Sequence, residues 1–226
     1  MEVQQNLKIN QTAPTSTTLS RVVELTIINM FGWIPRPFGV LLRRLVYRLI
    51  FARVGRGAYI QMGVDFLGGN LVELGDDVRI MRNSRFDMRA PNSLLRLGNK
   101  VCIDQGVDIR ATVSDCLIEI GDNSYLGPYV CMAGPGHIKI GKECLIASHT
   151  SIYANNHRKN GLTYEGIEIQ DNVWIGSGVR ILDGVTIGKG SIIGAGAVVN
   201  KNIPAFSTAV GVPAKVIKDS GIIDNN

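Results

Sequence analysis

The chain is thin in the residues that most often announce metal or redox chemistry. Its 226 residues hold three histidines, four cysteines and two tryptophans. The cysteines, Cys102, Cys116, Cys131 and Cys144, form no CxxC pair. That leaves a zinc site without support and points to free thiols in a reducing compartment. Their spacing of 14, 15 and 13 suggests that they recur on one region of successive structural repeats. No apolar run is long and clean enough to cross a membrane. Leu19 to Phe31 carries Arg21 and Glu24, and Pro35 and Pro37 interrupt the chain just beyond it. Residues 1–18 are polar and threonine-rich and lack an apolar leader core, so a disordered tail and a cytoplasmic protein are expected. No glycine motif for a nucleotide phosphate is present. The charge is +5 with a pI near 9.1. No aromatic-interleaved basic patch accompanies it, which argues against nucleic-acid binding.

What the chain has instead is a period of six. Ile169, Ile175, Ile181, Ile187, Ile193 and Val199 are evenly spaced, and Gly176, Gly188 and Gly194 each stand directly after one of them. Six fits neither a helix at 3.6 nor a plain strand at 2.0. It fits a chain that turns a corner every six residues, so three sides make an eighteen-residue coil of a parallel β-helix. With insertions between coils, the inward positions fall into seven triplets. They are Val54, Ile60, Phe66; Leu74, Ile80, Phe86; Leu97, Ile103, Ile109; Ile120, Leu126, Met132; Ile140, Ile146, Ile152; Ile169, Ile175, Ile181; and Ile187, Ile193, Val199. Seven coils at about 4.8 Å each make a prism roughly 30 Å tall. Four residues after many of these stand small or β-branched residues: Val78, Val101, Val107, Val130, Thr150, Val173, Val179, Val185 and Ala197. They suit a second, tighter inward site. Gly121 to Asn123 and Gly188 to Gly190 supply corner residues that tolerate unusual φ.

The intervals between triplets locate the loops. Ile169 to Ile187 is 18, whereas Ile140 to Ile169 is 29. The excess of eleven falls near Tyr153 to Glu168, because Ile152 still keeps register. A long loop on a rigid scaffold is a place for function. The chain therefore divides into a polar tail (1–18), a basic amphipathic helical segment (19–53), a β-helix (54–204) with its loop (153–168), and a C-terminal extension (205–226). In the helical segment Phe38, Leu41, Leu42, Leu45, Val46, Leu49 and Ile50 keep amphipathic spacing. Arg36, Arg43, Arg44, Arg48, Arg53 and Arg56 occur with no acidic residue between Glu24 and Asp65. Two compatible readings fit this pattern. The helix caps the open end of the prism, or residues 36–56 make peripheral contact with an anionic membrane surface.

Four segments carry a resemblance: Asn156 to Gly161 (NHRKNG), Asp171 to Ser177 (DNVWIGS), Gly194 to Lys201 (GAGAVVNK) and Gly211 to Ile217 (GVPAKVI). From Ile140 to Lys218 the chain resembles the hexapeptide-repeat acyltransferases, in the sugar O-acetyltransferase branch that includes galactoside, maltose and capsule enzymes. The resemblance implies a left-handed parallel β-helix, an exception to the right-handed crossover rule. It also implies a homotrimer, acetyl-CoA as co-substrate with no metal, and a sugar or glycan acceptor held between neighbouring prisms.

Moving an acetyl group from a thioester to a sugar hydroxyl needs a base, and histidine suits that role. His157 lies in the long loop, five residues after Ile152, and matches the family's catalytic histidine. His149 is read as structural and His137 as an exposed turn residue. By the same resemblance the amide near Ser177 stabilises the oxyanion, and Trp174 packs on the cofactor or walls the site. The pantetheine arm would pass Ser177 and then Ala195, one coil later. Asn200, Lys201, Lys215 and Lys218 match positions that contact the nucleotide end. Asn155, Asn156, Arg158, Tyr164 and Glu165 are candidate acceptor contacts by loop membership. The galactoside and maltose enzymes carry an asparagine near Gly127, where this chain reads Gly127-Pro128-Tyr129, so acceptor specificity does not carry over.

The rival readings are N-acylation of an amino-sugar nucleotide, transfer from another acyl-CoA, and a non-enzymatic β-helix scaffold. A zinc-dependent carbonic anhydrase of the same fold needs three converging histidines. The spacings of twelve and eight among His137, His149 and His157 do not supply its close pair.

Overall fold

A computed structural model describes residues 18–158 and 161–219. The tail expected over residues 1–18 thus lies, but for its last residue, outside them. Two helices, α1 (Thr18–Phe31) and α2 (Phe38–Val46), precede a prism of short strands. Its three faces, here A, B and C in chain order, stack seven, nine and seven strands.

The inward columns are those the period dictates. On face A, Val54, Leu74, Leu97, Ile120, Ile140, Ile169 and Ile187 lie in consecutive parallel register. On face B the column runs Ile60, Ile80, Ile103, Leu126, Ile146, Ile175, Ile193. On face C it runs Phe66, Phe86, Ile109, Met132, Ile152, Ile181, Val199. No insertion causes a slip. Apart from Val54, on the outermost coil, every member is at most 2% exposed. The tighter sites Val78, Val101, Val107, Val130, Thr150, Val173, Val179, Val185 and Ala197 are buried as well.

The corners use glycine and asparagine for two different reasons. Asn123 (φ 59°) and Gly190 (φ 68°) hold the left-handed conformation the turn requires. Gly188 is needed for space, because a Cβ there would stand 2.3 Å from the backbone N of Ala205 in the next coil.

The prism runs past residue 204. Ile203 bridges to Ile187, and Ala209 continues the face B column above Ile193. Ser207–Val210 joins face B, and Lys215–Asp219 returns antiparallel beside it. Between them the Gly211 carbonyl accepts the Val198 N–H at 3.0 Å, and the Ala214 N–H donates to the Val198 carbonyl at 2.8 Å. The GVPA run therefore closes the last coil over face C.

The cysteines do not recur on one region. Cys116 and Cys144 are buried, whereas Cys102 and Cys131 lie half-buried on faces B and C. Intervals of 13 to 15 cannot repeat a position when those coils advance by 20 or 23 residues. Burial pushes the Cys116 thiol up to about 12, so it is inert at neutral pH.

The helical pair turns only part of its apolar surface to the prism: Ile50 is buried in the core, and Ile27, Ile28 and Val46 pack against it. An amphipathic cap would bury its leucines. Instead α2 turns Gly39 and Arg43 inward, and Tyr47 beyond them is buried too. Phe38, Leu41, Leu42 and Leu45 face outward. The fully buried Arg43 guanidinium donates to the carbonyls of Phe31 (2.9 Å) and Ile34 (2.8 Å), and its Nε donates to Ile60 (3.0 Å). It thereby closes the carboxyl end of α1, where carbonyls lack helical partners and carry partial negative charge. Glu24 of α1 is buried as well, and its Oε1 accepts the Gly68 and Gly69 N–H groups at 2.8 and 3.0 Å. Burial also pushes the Tyr47 phenol up to about 12.

Arg43→Ala would strand these carbonyls without a donor. It should cost on the order of 3 kcal/mol in chemical denaturation, whereas the neighbouring Arg44→Ala should change little.

Candidate active site

The site begins where the chain leaves face C after Ile152. Ala154 is fully buried; its N–H donates to the Ala133 carbonyl (3.0 Å), and its carbonyl accepts the Gly136 N–H (2.9 Å). The eleven-residue excursion then folds as a β-hairpin. Asn156–Arg158 pairs antiparallel with Gly161–Thr163, and His157 stands opposite Leu162. Its ring is exposed.

One carboxylate closes the hairpin's base. Asp183 accepts from the Asn156 side-chain amide at 2.9 Å, from the Glu165 N–H at 2.9 Å to its nearer oxygen, and from the Gly166 N–H at 2.9 Å. The outgoing and returning limbs are thus tied to one side chain, which sits at a corner of the rigid coil above. Asn156, expected to meet the acceptor, uses its amide in this tie. Asn155 is half-buried, and Tyr164 and Glu165 are exposed at the base. Arg158 ends the first hairpin strand. Sequence reading missed Asp183. The coil period contained the signal, since Asp183 lies 18 residues after Glu165, one uninterrupted coil.

The other expected residues lie elsewhere. Ser177 sits on the edge between faces B and C, and Ala195 sits above it one coil later. These corners touch closely: a Cβ on Gly176 would stand 2.6 Å from the Ala195 N. The Ser177 carbonyl accepts the Gly196 N–H at 2.8 Å. Its own N–H makes no backbone hydrogen bond among the described residues. Ser148, one coil below, donates its hydroxyl toward the Ser177 Oγ at 3.4 Å. Below Ser177 the corner is stiffened by His149 stacked on Tyr129, with centroids 5.2 Å apart. Both hold φ near 60°. The Arg180 guanidinium donates to the carbonyls of His149 and Gly178. His149 thus has a corner role, and Tyr129 occupies a left-handed corner in the Gly127-Pro128-Tyr129 run. His137 is exposed, and its Nδ1 accepts the Leu117 N–H at 3.0 Å.

Trp174 projects from face B at 53% exposure, in register between Leu145 and Ile192, which are also exposed. Face A differs in kind: outward Arg96 pairs with Glu73 and Glu119, and Lys139 with Glu168. Lys215 and Lys218 lie on the last strand, opposite Val210 and Thr208. Thr208 continues the Trp174–Ile192 column. Asn200 and Lys201 are exposed at the end of face C, on the edge that carries the hairpin.

The candidate residues therefore form two groups. His157, Asp183, Asn200 and Lys201 belong to the C–A edge. Ser177, Ala195 and Trp174, with Lys215 and Lys218, belong to face B and the B–C edge. The width of face C separates them, about six residues at ~3.3 Å, or roughly 20 Å when fully extended. Among the described residues no three His, Cys, Asp or Glu side chains converge where a metal ion could bind.

Comparison with known proteins agrees with this architecture. Residues 166–201 match the family model for the bacterial transferase hexapeptide (six repeats). The chain is 32% identical over 178 residues to the galactoside O-acetyltransferase of Escherichia coli, covering 78% of this chain and 68% of that one. Among solved structures, the polySia-specific acetyltransferase NeuO superposes with a TM-score of 0.61 at 24% identity, covering 78% of this chain and 91% of that one. The N-acyltransferase AntD from Bacillus cereus gives 0.55 at 19%, covering 76% and 85%. The fold is the left-handed parallel β-helix, and the chain belongs to the hexapeptide-repeat acyltransferases.

Removing the hairpin tie tests its geometry without any assay of activity. Asp183→Ala should speed hydrogen exchange at the Glu165 and Gly166 amides by roughly tenfold, the effect of losing about one hydrogen-bond acceptor. Asp183→Asn, which keeps one acceptor oxygen, should fall between.

Proposed function

We propose that the protein is an acetyl-CoA-dependent O-acetyltransferase acting on a sugar hydroxyl of a glycan or glycan precursor. The observation that carries this reading is His157, exposed on a hairpin whose base is tied to the prism. The likeness to a galactoside O-acetyltransferase supports a sugar as acceptor. His157 takes the proton from the acceptor hydroxyl as its oxygen attacks the thioester carbonyl. The Ser177 N–H donates to the oxyanion that forms. Collapse breaks the carbon–sulfur bond, and the proton on His157 passes to the departing CoA thiolate. No step uses a metal. The pantetheine arm runs past Ser177 and Ala195 along the B–C edge, beside Trp174. Lys201, Lys215, Lys218 and Asn200 serve the nucleotide end. Arg158, Tyr164, Glu165 and Asn155 serve the acceptor, and Asn156 supports them through Asp183.

The two groups of site residues meet when copies of the chain associate as a trimer. His157 of one prism then faces Ser177 and Ala195 of its neighbour. The apolar Leu145, Trp174 and Ile192 column supports face B as a contact surface. No helix of the described residues is long and apolar enough to cross a membrane. We place the protein in the cytoplasm, in peripheral contact with the inner membrane face through the basic segment 36–56.

Acetyl-CoA thiol release should be measured with free sugars, nucleotide sugars, amino-sugar nucleotides and polysaccharide fragments. Acceptor-dependent release should fall by about 10² or more in His157→Ala. Full activity in that variant would remove His157 from the mechanism, and preference for an amino-sugar nucleotide would make the reaction N-acylation. Subunit mixing tests the shared site. His157→Ala and Ala195→Trp should each be inactive, yet equal co-assembly should restore about a quarter of the sites, by random pairing in a cyclic oligomer. No recovery would place each site within a single chain.

A further inference from the structure

The two helices leave an apolar surface that the enzyme reading does not use. Leu19 (73%), Trp33 (68%), Phe38 (72%), Leu45 (65%) and Leu49 (74%) are more than half exposed, and Leu41 and Met30 are nearly as open. Isolated exposed leucines are ordinary, but a contiguous group on one structural unit marks a surface that something covers. Their orientation is held from the inside. Glu24 and Arg43 are committed to backbone groups between the helices and the prism. Neither helix can turn its leucines inward without stripping these backbone groups of their partners.

The occupant is indicated by charge. The same segment carries Arg36, Arg48 and Arg53 exposed and Arg44 half-buried, and the sequence has no acidic residue between Glu24 and Asp65. Glu24 itself is buried. An exposed apolar surface in a segment rich in guanidinium groups, with no exposed carboxylate among them, is complementary to an anionic bilayer. Side chains enter the acyl boundary, and arginines meet the lipid phosphates.

We infer that α1, α2 and the turn between them form a membrane-inserting face specific for anionic lipid. This deepens the peripheral-contact part of the proposed function and does not depend on the acetyl-transfer part. It changes which residues make the contact. Arg43, one of the arginines of the basic segment, lies buried and takes no part, while Leu19, Trp33, Phe38, Leu41, Leu45 and Leu49 provide the insertion.

The test is flotation of the full chain with vesicles of phosphatidylcholine alone, and of phosphatidylcholine mixed equally with phosphatidylglycerol. Binding to the mixed vesicles should be about tenfold or more tighter than to the neutral ones. Leu41→Ser with Leu45→Ser alters only exposed positions, so melting temperature and acetyl transfer to a soluble acceptor should stay unchanged. Binding should fall by about tenfold or more. Trp33 fluorescence should shift to the blue with wild-type protein on mixed vesicles. If the double variant binds as tightly as wild type, insertion is overturned while charge-driven contact stands. If wild type binds neither vesicle, both are overturned. If the double variant loses oligomer mass by light scattering and wild type does not float, the face covers a second copy and the lipid assignment is wrong.

Discussion

A single coil of this chain cannot bury its own aliphatics; only the coils above and below can. That constraint governs the rest of the molecule. Each face contributes one large inward side chain per coil, and stacking closes the core. Extra residues can therefore enter only at corners, and the chain must return in register. The eleven extra residues after Ile152 do so: Ile169 still pairs with Ile140. The hairpin is tied by Asp183, itself a corner residue one coil above.

The edges are not equivalent. The hairpin leaves between faces C and A, while the close-packed corners of Ser177 and Ala195 lie between faces B and C. A prism with a filled core offers no path between them, so face C separates His157 from Ser177 within one chain. The outward faces differ in a way that suits association. Face A alternates charges in mutual ion pairs, the mark of a solvated surface, whereas face B presents Leu145, Trp174 and Ile192. In the proposed trimer, the edge carrying His157 on one copy and the edge carrying Ser177 on another would form one site.

The core was legible in the sequence because the six-residue period and its breaks determine every inward position, and all three columns stand as the period places them. The loop was legible for the same reason: an interval of 29 in place of 18 has only one place to put its excess. The conformation of that loop was not, since pairing of His157 with Leu162 leaves no trace in a period. Asp183 escaped notice because an Asp-Gly pair reads as an ordinary turn unless it is projected down one coil onto Glu165. The cysteines misled through near-regular spacing unrelated to the actual rise of 20 or 23 residues per coil. The C-terminal extension was read as separate because the aliphatic period fades after Val199. Backbone pairing at Ile203 and Ala209 nonetheless continues without it.

The helical segment shows where hydrophobic periodicity is blind. Phe38, Leu41, Leu42, Leu45, Val46, Leu49 and Ile50 define a stripe, of which only Val46 and Ile50 meet the core; a stripe reports only that water is avoided, not what replaces it. Protein core and lipid satisfy it equally. The deciding information lies on the opposite side of the helix. Gly39 lets the backbone of α2 come close; a Cβ there would stand 2.0 Å from the Ile34 carbonyl oxygen. Arg43, one turn later, reaches four backbone carbonyls, one of them more weakly at 3.4 Å. A guanidinium serving several carbonyls is fixed in direction far more tightly than a leucine against an apolar surface. Where a buried arginine stands opposite a stripe of leucines, the arginine's partners therefore set which way the helix faces, and the leucines are left to whatever lies outside.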